Sequence, residues 1–256
     1  MIDSAMIALN DLVAFLDKEL KTTSIPDYPG AVNGLQLANG GDIGRIVAAV
    51  DASLPVVEAA AEGGPGLLIV HHGMFWQGVR PVTGAFYQKL KTAMEAGLAI
   101  YSSHLPLDVH PVLGNNICLA KAIGLEDPLP FFDQKGLKIG LRGAWNGTRG
   151  QLVDALRLAV GGVVHVCPGG PEIVRSVGVI TGGAGSEVEK VAEHGVDTFI
   201  TGEGPHWSFP LAEELAINVL YAGHYATETF GVNAISELVS GRFGIPWRFL
   251  DRPTGL

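Results

Sequence analysis

Cysteine is scarce in this chain. Cys118 and Cys167 are its only two cysteines, and they lie far apart with no CxxC pair. A disulfide framework or a thiolate zinc site needs more cysteines, or cysteines in close pairs. The sequence therefore indicates neither kind of site and predicts a reducing cytoplasm as the location.

Basic residues are outnumbered and scattered. The chain has 17 Lys and Arg against 26 Asp and Glu, for a formal net charge of −9. Binding to nucleic acid phosphates relies on clustered Lys and Arg, and no such cluster occurs. Nucleic acid is therefore not an expected partner, and a ring threaded by DNA is the least supported function.

Long apolar runs are also missing. No run reaches the roughly 18 residues that a membrane-spanning helix needs, although 47% of the 256 residues are hydrophobic. A soluble globular chain with no membrane partner is expected. Behind an Asp3/Ser4 cap, the first twenty residues indicate an amphipathic helix instead of a signal peptide. Its apolar face comprises Leu9, Leu12, Val13, Leu16 and Leu20.

What is abundant is glycine, with 35 residues placed between short apolar runs. Residues 45–76 alternate a strand-like, a helix-like and a strand-like run, and residues 177–207 repeat this order, so each predicts a βαβ unit. A shift of 132 positions aligns Val56 with Val188 and His71 with Glu203. An internal duplication is therefore predicted.

The order of the remaining segments predicts an α/β fold of two lobes. Helices are expected near 85–96, 112–123 and 149–160, and strands at 98–104 and 163–167. A change of pattern near Pro128 and Pro130 predicts an inserted second lobe at 129–215. The first lobe would then comprise 1–128 together with 216–256.

A His-His pair follows the apolar run LLIV and precedes Gly73. In parallel α/β sheets, ligands bind at the carboxyl ends of strands. His71 and His72 are therefore candidate metal ligands, because neutral imidazole is a common one. Alternatively, one histidine caps the strand and the other is solvated.

A second polar cluster, SSHLPLDVHP, follows the next predicted strand. It contains His104 and supplies a carboxylate, Asp108, in a loop fixed by two prolines. Alternatively, His104 bonds to backbone, and Asp108 is a turn residue or the cap of the helix that begins near Pro111.

The third cluster, GHYATETFGV, places His224 and Glu228 four residues apart. On a helical turn they would share a face and could grip one ion, although a surface ion pair has the same spacing. The flanking Gly223 and Gly231 favour a strand-to-helix turn. Five residues of these clusters, three imidazoles and two carboxylates, form a set suited to two cations of Zn, Fe, Mn or Co. The predicted ligands are His71, His72, Asp108, His224 and Glu228.

The segment TGEGPHW contains Glu203 and His206. Glu203 is a candidate general base or an orienting partner of a ligand histidine, or else lies solvated in a glycine turn. Nearby aromatic residues either stack a planar ligand or wall a pocket; they are Phe75, Trp76, Trp207 and Tyr225. The GGAG at 182–185 is similar to a phosphate-binding loop but lacks a complete motif.

These motifs, together with NGLQL at 33–37, resemble the YbgI-like dinuclear metal-centre family, which is Nif3-like and often labelled GTP cyclohydrolase type 2 homologue. The resemblance spans nearly the whole chain. It implies metal ligands at His71, His72, Asp108, His224 and Glu228, and a cavity lined by His104 and Glu203. It also implies two α/β lobes facing a cleft that holds the metals, assembled as a toroidal homohexamer.

Two function classes follow. The first is a metal-dependent hydrolase in which two cations activate a bridging water while Glu203 or His104 moves the proton. The label implies a cyclohydrolase-like reaction on a small molecule that the residues do not identify. The second is a protein without turnover that binds or delivers metal or scaffolds a partner.

Overall fold

A computed structural model describes residues 6–256. The first part of the chain forms β1 (Ile7–Ala8), α1 (Leu9–Leu20), β2 (Gly34–Leu37), β3 (Asp42–Ile43), β4 (Ile46–Asp51), α2 (Leu54–Ala61), β5 (Gly66–His72), α3 (Gly84–Glu95), β6 (Leu98–Ser102), α4 (Leu105–Asp108) and α5 (Asn115–Ala122). The rest forms β7 (Glu126–Gln134), β8 (Leu137–Thr148), α6 (Arg149–Val160), β9 (His165–Pro168), β10 (Ile173–Val179), a 3-10 helix (Gly185–Glu187), α7 (Val188–Glu193), β11 (Thr198–Thr201), α8 (Ser208–Glu214), β12 (Asn218–Tyr221), α9 (His224–Thr227), α10 (Thr229–Phe243) and β13 (Trp247–Phe249).

The chain divides into two compact units. The first comprises residues 1–107 and 231–252, of which the structure describes those from residue 6 onward. Its five-stranded sheet has the order β13-β4-β5-β6-β2, with only β2 antiparallel to its neighbour. β4, β5 and β6 are almost wholly buried, as near-continuous apolar strands of a parallel sheet should be. α2 and α3 pack their apolar sides on this sheet.

The second unit comprises residues 108–230 and 253–256. Its six-stranded mixed sheet has the order β7-β8-β10-β11-β12-β9, and its three central strands β10, β11 and β12 are parallel. α5 and α6 pack on the sheet through buried aliphatic side chains. α6 begins with a capping box between Thr148 and Gln151 and ends at Gly161, whose φ of 65° suits glycine.

These units differ from the predicted lobes, 1–128 with 216–256 and 129–215. Residues 108–128 lie in the second unit because Leu119 and Ile123 join its apolar core beside Leu152. Residues 216–230 also lie there, because β12 pairs with β11 and β9. Pro128 and Pro130, where the sequence pattern changes, lie within β7 and therefore inside one unit.

The predicted α/β class and both βαβ units are confirmed. β4-α2-β5 and β10-α7-β11 each join parallel neighbours through a helix. The proposed common origin of the two units stays a prediction. The expected amphipathic helix is α1, which buries Leu9, Leu12, Leu16 and Leu20 but begins only after Ala8. Its expected cap, Asp3 and Ser4, lies outside the described residues.

Among residues 6–256, no helix is both long and apolar enough to cross a membrane. Cys118 and Cys167 are free thiols.

Candidate metal centre

The carboxyl edge of the first sheet carries a row of polar side chains. β5 ends with His71 and His72, and its parallel neighbour β6 is followed closely by His104. On the other side of β5, β4 ends with Asp51, which pairs with His72 in register. Since parallel strands end at the same edge, residues from three separate sequence segments meet there.

All three histidines are held through the same ring nitrogen. Nδ1 of His71 donates to the carbonyl oxygen of Ser103, at 2.9 Å. Nδ1 of His72 donates to Oδ1 of Asp51, also at 2.9 Å. Nδ1 of His104 donates to Oδ1 of Asp27 at the same distance. Because each acceptor can only accept, the neutral rings carry the lone pair on Nε2, the tautomer that binds metal through that atom.

The three imidazoles form a compact group. One ligand atom from each of His71, His72 and His104 lies within 4.8 Å of the other two. The ring centroids of His71 and His104 are 4.9 Å apart, and those of His71 and His72 are 4.7 Å apart. The structure thus brings His104, predicted as a proton-transfer residue, into the same group as the two predicted ligands.

Asp27, which the sequence analysis missed, anchors this group. Its carboxylate also accepts hydrogen bonds from Leu105 N, Asn33 Nδ2 and Tyr28 N. Burial opposes its ionisation, but the hydrogen bond from His104, together with the other donors, holds the pKa of Asp27 below its ordinary value. No periodic pattern marks Asp27, which lies in the loop PDYPG.

The NGLQL motif holds the turn after the His-His pair. Gln36 accepts from Met74 N at 2.7 Å and donates to the carbonyl oxygens of Ala31 and Val32. Gly73 must lack a side chain, because a Cβ there would collide with the Gln36 amide. Asn33 accepts from His104 N at 2.8 Å. This motif was noticed in the sequence but had no assigned role. Asp51 was missed, although it ends an apolar strand as His72 does.

In the second unit, Asp108 ends α4 and is buried. Its Oδ1 accepts from Asn115 Nδ2 at 2.8 Å and from Thr181 Oγ1 at 3.3 Å. Asn116 donates to its backbone carbonyl oxygen. α5 begins at Asn115 after Gly114, so Asp108 is not the cap of that helix. Its carboxylate is held by side chains from the start of α5 and from the loop after β10.

His224 lies between two carboxylates of the second unit. Its Nδ1 donates to Oε1 of Glu203 at 2.8 Å, and its Nε2 is 3.2 Å from Oε1 of the buried Glu228. Burial lowers the pKa of His224, but the two carboxylates outweigh it and raise the pKa to about 9. The predicted strand-to-helix turn is confirmed, since β12 ends at Tyr221 and α9 begins at His224 after Gly223, whose φ is 89°.

Glycines let three loops of this unit converge on His224. A Cβ at Gly202 would lie 2.5 Å from His224 Cα, and one at Gly182 would collide with Oε1 of Glu228. The GGAG segment is not a phosphate loop. The backbone N–H groups of Gly182, Ala184 and Gly185 donate within the protein, to Thr227 Oγ1, Thr201 Oγ1 and the Glu203 carbonyl oxygen.

Other expected residues lie elsewhere. His206 and Trp207 are exposed on the loop before α8. Tyr225 is buried, and Phe75 packs against the core of its unit and the Phe86 ring. Of the four aromatic candidates, Trp76 contacts the histidine group, with its ring centroid 4.8 Å from that of His104 in an edge-to-face arrangement.

The Duf34/NIF3 (NGG1p interacting factor 3) family model matches residues 7–254. The chain belongs to this family. A Duf34/NIF3 relative named "GTP cyclohydrolase 1 type 2 homolog", from Deinococcus radiodurans, is 41% identical over 252 residues, covering 98% of this chain and 95% of the relative. The resemblance drawn from the motifs is confirmed.

Solved structures agree with this assignment. The protein TTHA1606 from Thermus thermophilus is 38% identical, with a TM-score of 0.90, covering 98% of this chain and all of that one. The protein ybgI, described as of unknown function, is 33% identical with the same TM-score and the same coverage. The Nif3-like fold is therefore shown for this Duf34/NIF3 chain.

The donors described above suit a transition metal. Imidazole nitrogens and carboxylate oxygens suit Zn, Fe, Mn and Co. A hydrogen bond at Nδ1 fixes the ring orientation of all four histidines described above. Beside Glu228, Gly182 leaves a space that a side chain would fill. The residues present therefore fit a metal-binding role.

Proposed function

We propose that the protein binds two divalent cations, Zn, Fe, Mn or Co, and uses them in a hydrolytic reaction. The proposed ligands are His71, His72, Asp108, His224 and Glu228. The observation that carries this proposal is the shared anchoring of three imidazoles through Nδ1, with their ligand atoms within 4.8 Å of one another. Such anchoring is typical of metal-binding histidines.

The protein's own residues have separate roles in this proposed reaction. Two bound cations would lower the pKa of a water and polarise an electrophilic substrate atom. Glu203 holds His224 through Nδ1, which supports an orienting role, the second of the two roles expected for it. His104 would accept or deliver a proton, or serve as a further imidazole ligand. Its fixed ring suits either task.

The name of the curated relatives suggests the reaction type. "GTP cyclohydrolase 1 type 2 homolog" points to hydrolytic opening of a ring in a small molecule. We extend this reaction type, without a named substrate, to the present chain. The cytoplasmic location stays a prediction.

Elemental analysis of the purified protein tests the metal site. About two metal ions per chain are expected for the wild type, and the His72→Ala and Glu228→Ala variants should lose at least one. His206→Ala is the matched control, because His206 is an exposed histidine outside the group. If both site variants keep two ions per chain, the ligand assignment is wrong.

Turnover separates the hydrolase from a protein that only stores or delivers metal. Wild-type protein with its metals is screened against cyclic amides and nucleotides for metal-dependent hydrolysis. Activity lost in Glu228→Ala and kept in His206→Ala supports the hydrolase. Full metal content without turnover across the screen would instead favour metal delivery or scaffolding.

A further inference from the structure

The second unit contains a cavity of about 140 Å³ on one side of Asp108. Its volume is close to the roughly 150 Å³ of an apolar cavity that accepts a benzene ring. The walls come from the loop after α4, from the start of α5 and from the β7–β8 hairpin. All of these segments belong to the same unit.

Most of the lining is apolar and stiff. Pro111, Pro128 and Pro130 line the cavity together with Ile117 and Leu141. Proline rings have no rotamers to lose when a ligand packs against them, so such walls are already arranged for binding.

The backbone of β7 is irregular where it lines this cavity. The pairing of β7 with β8 shifts register between Glu126 and Leu129, around Pro128. Asp127 and Phe132, on either side of the two prolines, have φ values of 44° and 61°, in the left-handed region. Bulges and left-handed non-glycine residues are costly and occur often beside functional sites.

Lys138 supplies a positive charge at the cavity. Within residues 6–256, its ammonium group forms no ion pair or hydrogen bond. Asp133 lies opposite Lys138 in the hairpin register, but its Oδ1 accepts from Gly136 N. Lys138 is an exposed residue of the lining, and its ammonium group can attract the anionic group of a ligand.

His110 also lines the cavity. Its Nδ1 accepts from Val112 N at 3.2 Å and from Leu113 N at 3.0 Å. The hydrogen of the neutral ring therefore lies on Nε2, which makes that atom a donor. The amide of Asn116, which also lines the cavity, is used within the protein, bonding to Ile139 and Thr181.

We propose that this cavity binds a small anionic molecule with an apolar body of about one ring, its carboxylate or phosphate group held by Lys138. Because Asp108 lines the cavity and is also a proposed metal ligand, the inference rests on the proposed function and names its substrate class. Lys138 would bind the anionic end of the substrate, and the prolines would pack against its apolar part.

Calorimetric titration of the metal-free full chain with phenyl phosphate tests the site without interference from bound cations. Benzyl alcohol and inorganic phosphate serve as probes that lack the charge or the ring. Phenyl phosphate should bind more tightly than either. Lys138→Gln should weaken its binding about tenfold, as loss of a charged hydrogen bond does.

Lys135→Gln is the matched control, because Lys135 is exposed in the turn of the same hairpin and does not line the cavity. It makes the same charge change and should leave the affinity unaltered. The proposal is overturned if wild-type protein does not bind phenyl phosphate at millimolar concentration, or if the two variants behave alike.

Metal content of the same samples, measured after reloading, separates this proposal from the proposed function. Lys138→Gln should keep the full complement of metal ions. Metal bound normally with no Lys138-dependent binding would overturn the cavity proposal alone. Lys138-dependent binding in a protein that takes up no metal would overturn the proposed function and leave the anion site standing.

Discussion

At the residue scale, the histidine group depends on hydrogen-bond partners whose identity cannot be read from the positions of the histidines in the sequence. Each imidazole of the first unit has Nδ1 fixed by an oxygen from another segment: Ser103, Asp51 or Asp27. Such partners set the tautomer and the direction of the coordinating nitrogen. In the first unit, the histidine group thus depends on two carboxylates, Asp27 and Asp51, that touch histidines and are not themselves proposed ligands.

Asp51→Asn should weaken metal binding about 10-fold to 100-fold, the usual effect of removing a partner that orients a ligand. The asparagine would keep a similar shape but lose the negative charge that strengthens the hydrogen bond from Nδ1 of His72. Competition with a chromophoric chelator measures the affinity. Asp154→Asn is the control, since Asp154 is 77% exposed on α6 and far from the histidine group in sequence. Equal affinities in the two variants would contradict the orienting role.

At the element scale, strand ends decide where the chemistry lies. In the first unit, three parallel strands deliver Asp51, the His-His pair and His104 to one edge. In the second, the loops after β10, β11 and β12 meet around His224 because glycines permit backbone contact there. The glycines of these loops serve close packing, which a composition count cannot distinguish from flexibility.

Gly182→Ala should strain the left-handed backbone at this position and should also disturb the metal centre. Gly182 and Gly195 have φ values of 72° and 71°, but a Cβ at Gly195 meets nothing within 4 Å. Gly195→Ala should therefore cost only the left-handed backbone penalty of about 1–2 kcal/mol. Gly182→Ala adds a collision with Glu228 and should also lower the metal content. Thermal unfolding and elemental analysis of both variants check this, and normal metal content in Gly182→Ala would refute it.

At the scale of the whole molecule, metal binding and folding should be linked. A ligand that binds only the folded state stabilises it by about 3 kcal/mol at 100 times its dissociation constant. Chelation should therefore lower the Tm by several degrees, and added metal should restore it. Scanning calorimetry measures the shift. Glu228→Ala, lacking a proposed ligand, should respond less than the wild type; an equal response would place the stabilising ions elsewhere.

We also propose that the chain assembles as a toroidal homohexamer. Sedimentation equilibrium should then give six times the chain mass of 26.9 kDa. The same measurement on the chelated protein would show whether assembly requires metal. A monomer at micromolar concentration in both states would exclude this assembly.

By itself, the sequence determined the α/β class, the two βαβ units and the polar strand ends, because apolar periodicity and turn residues are local signals. It also identified all five proposed ligands, since imidazoles and carboxylates that follow apolar strands are recognisable in the sequence. Only the tertiary structure decided the bounds of the two units, the grouping of His104 with the His-His pair, and the anchoring by Asp27 and Asp51. Those features rest on contacts between residues distant in sequence, such as Asp27 and His104. The cavity at Lys138 has the same origin, since its walls come from separate segments of the second unit.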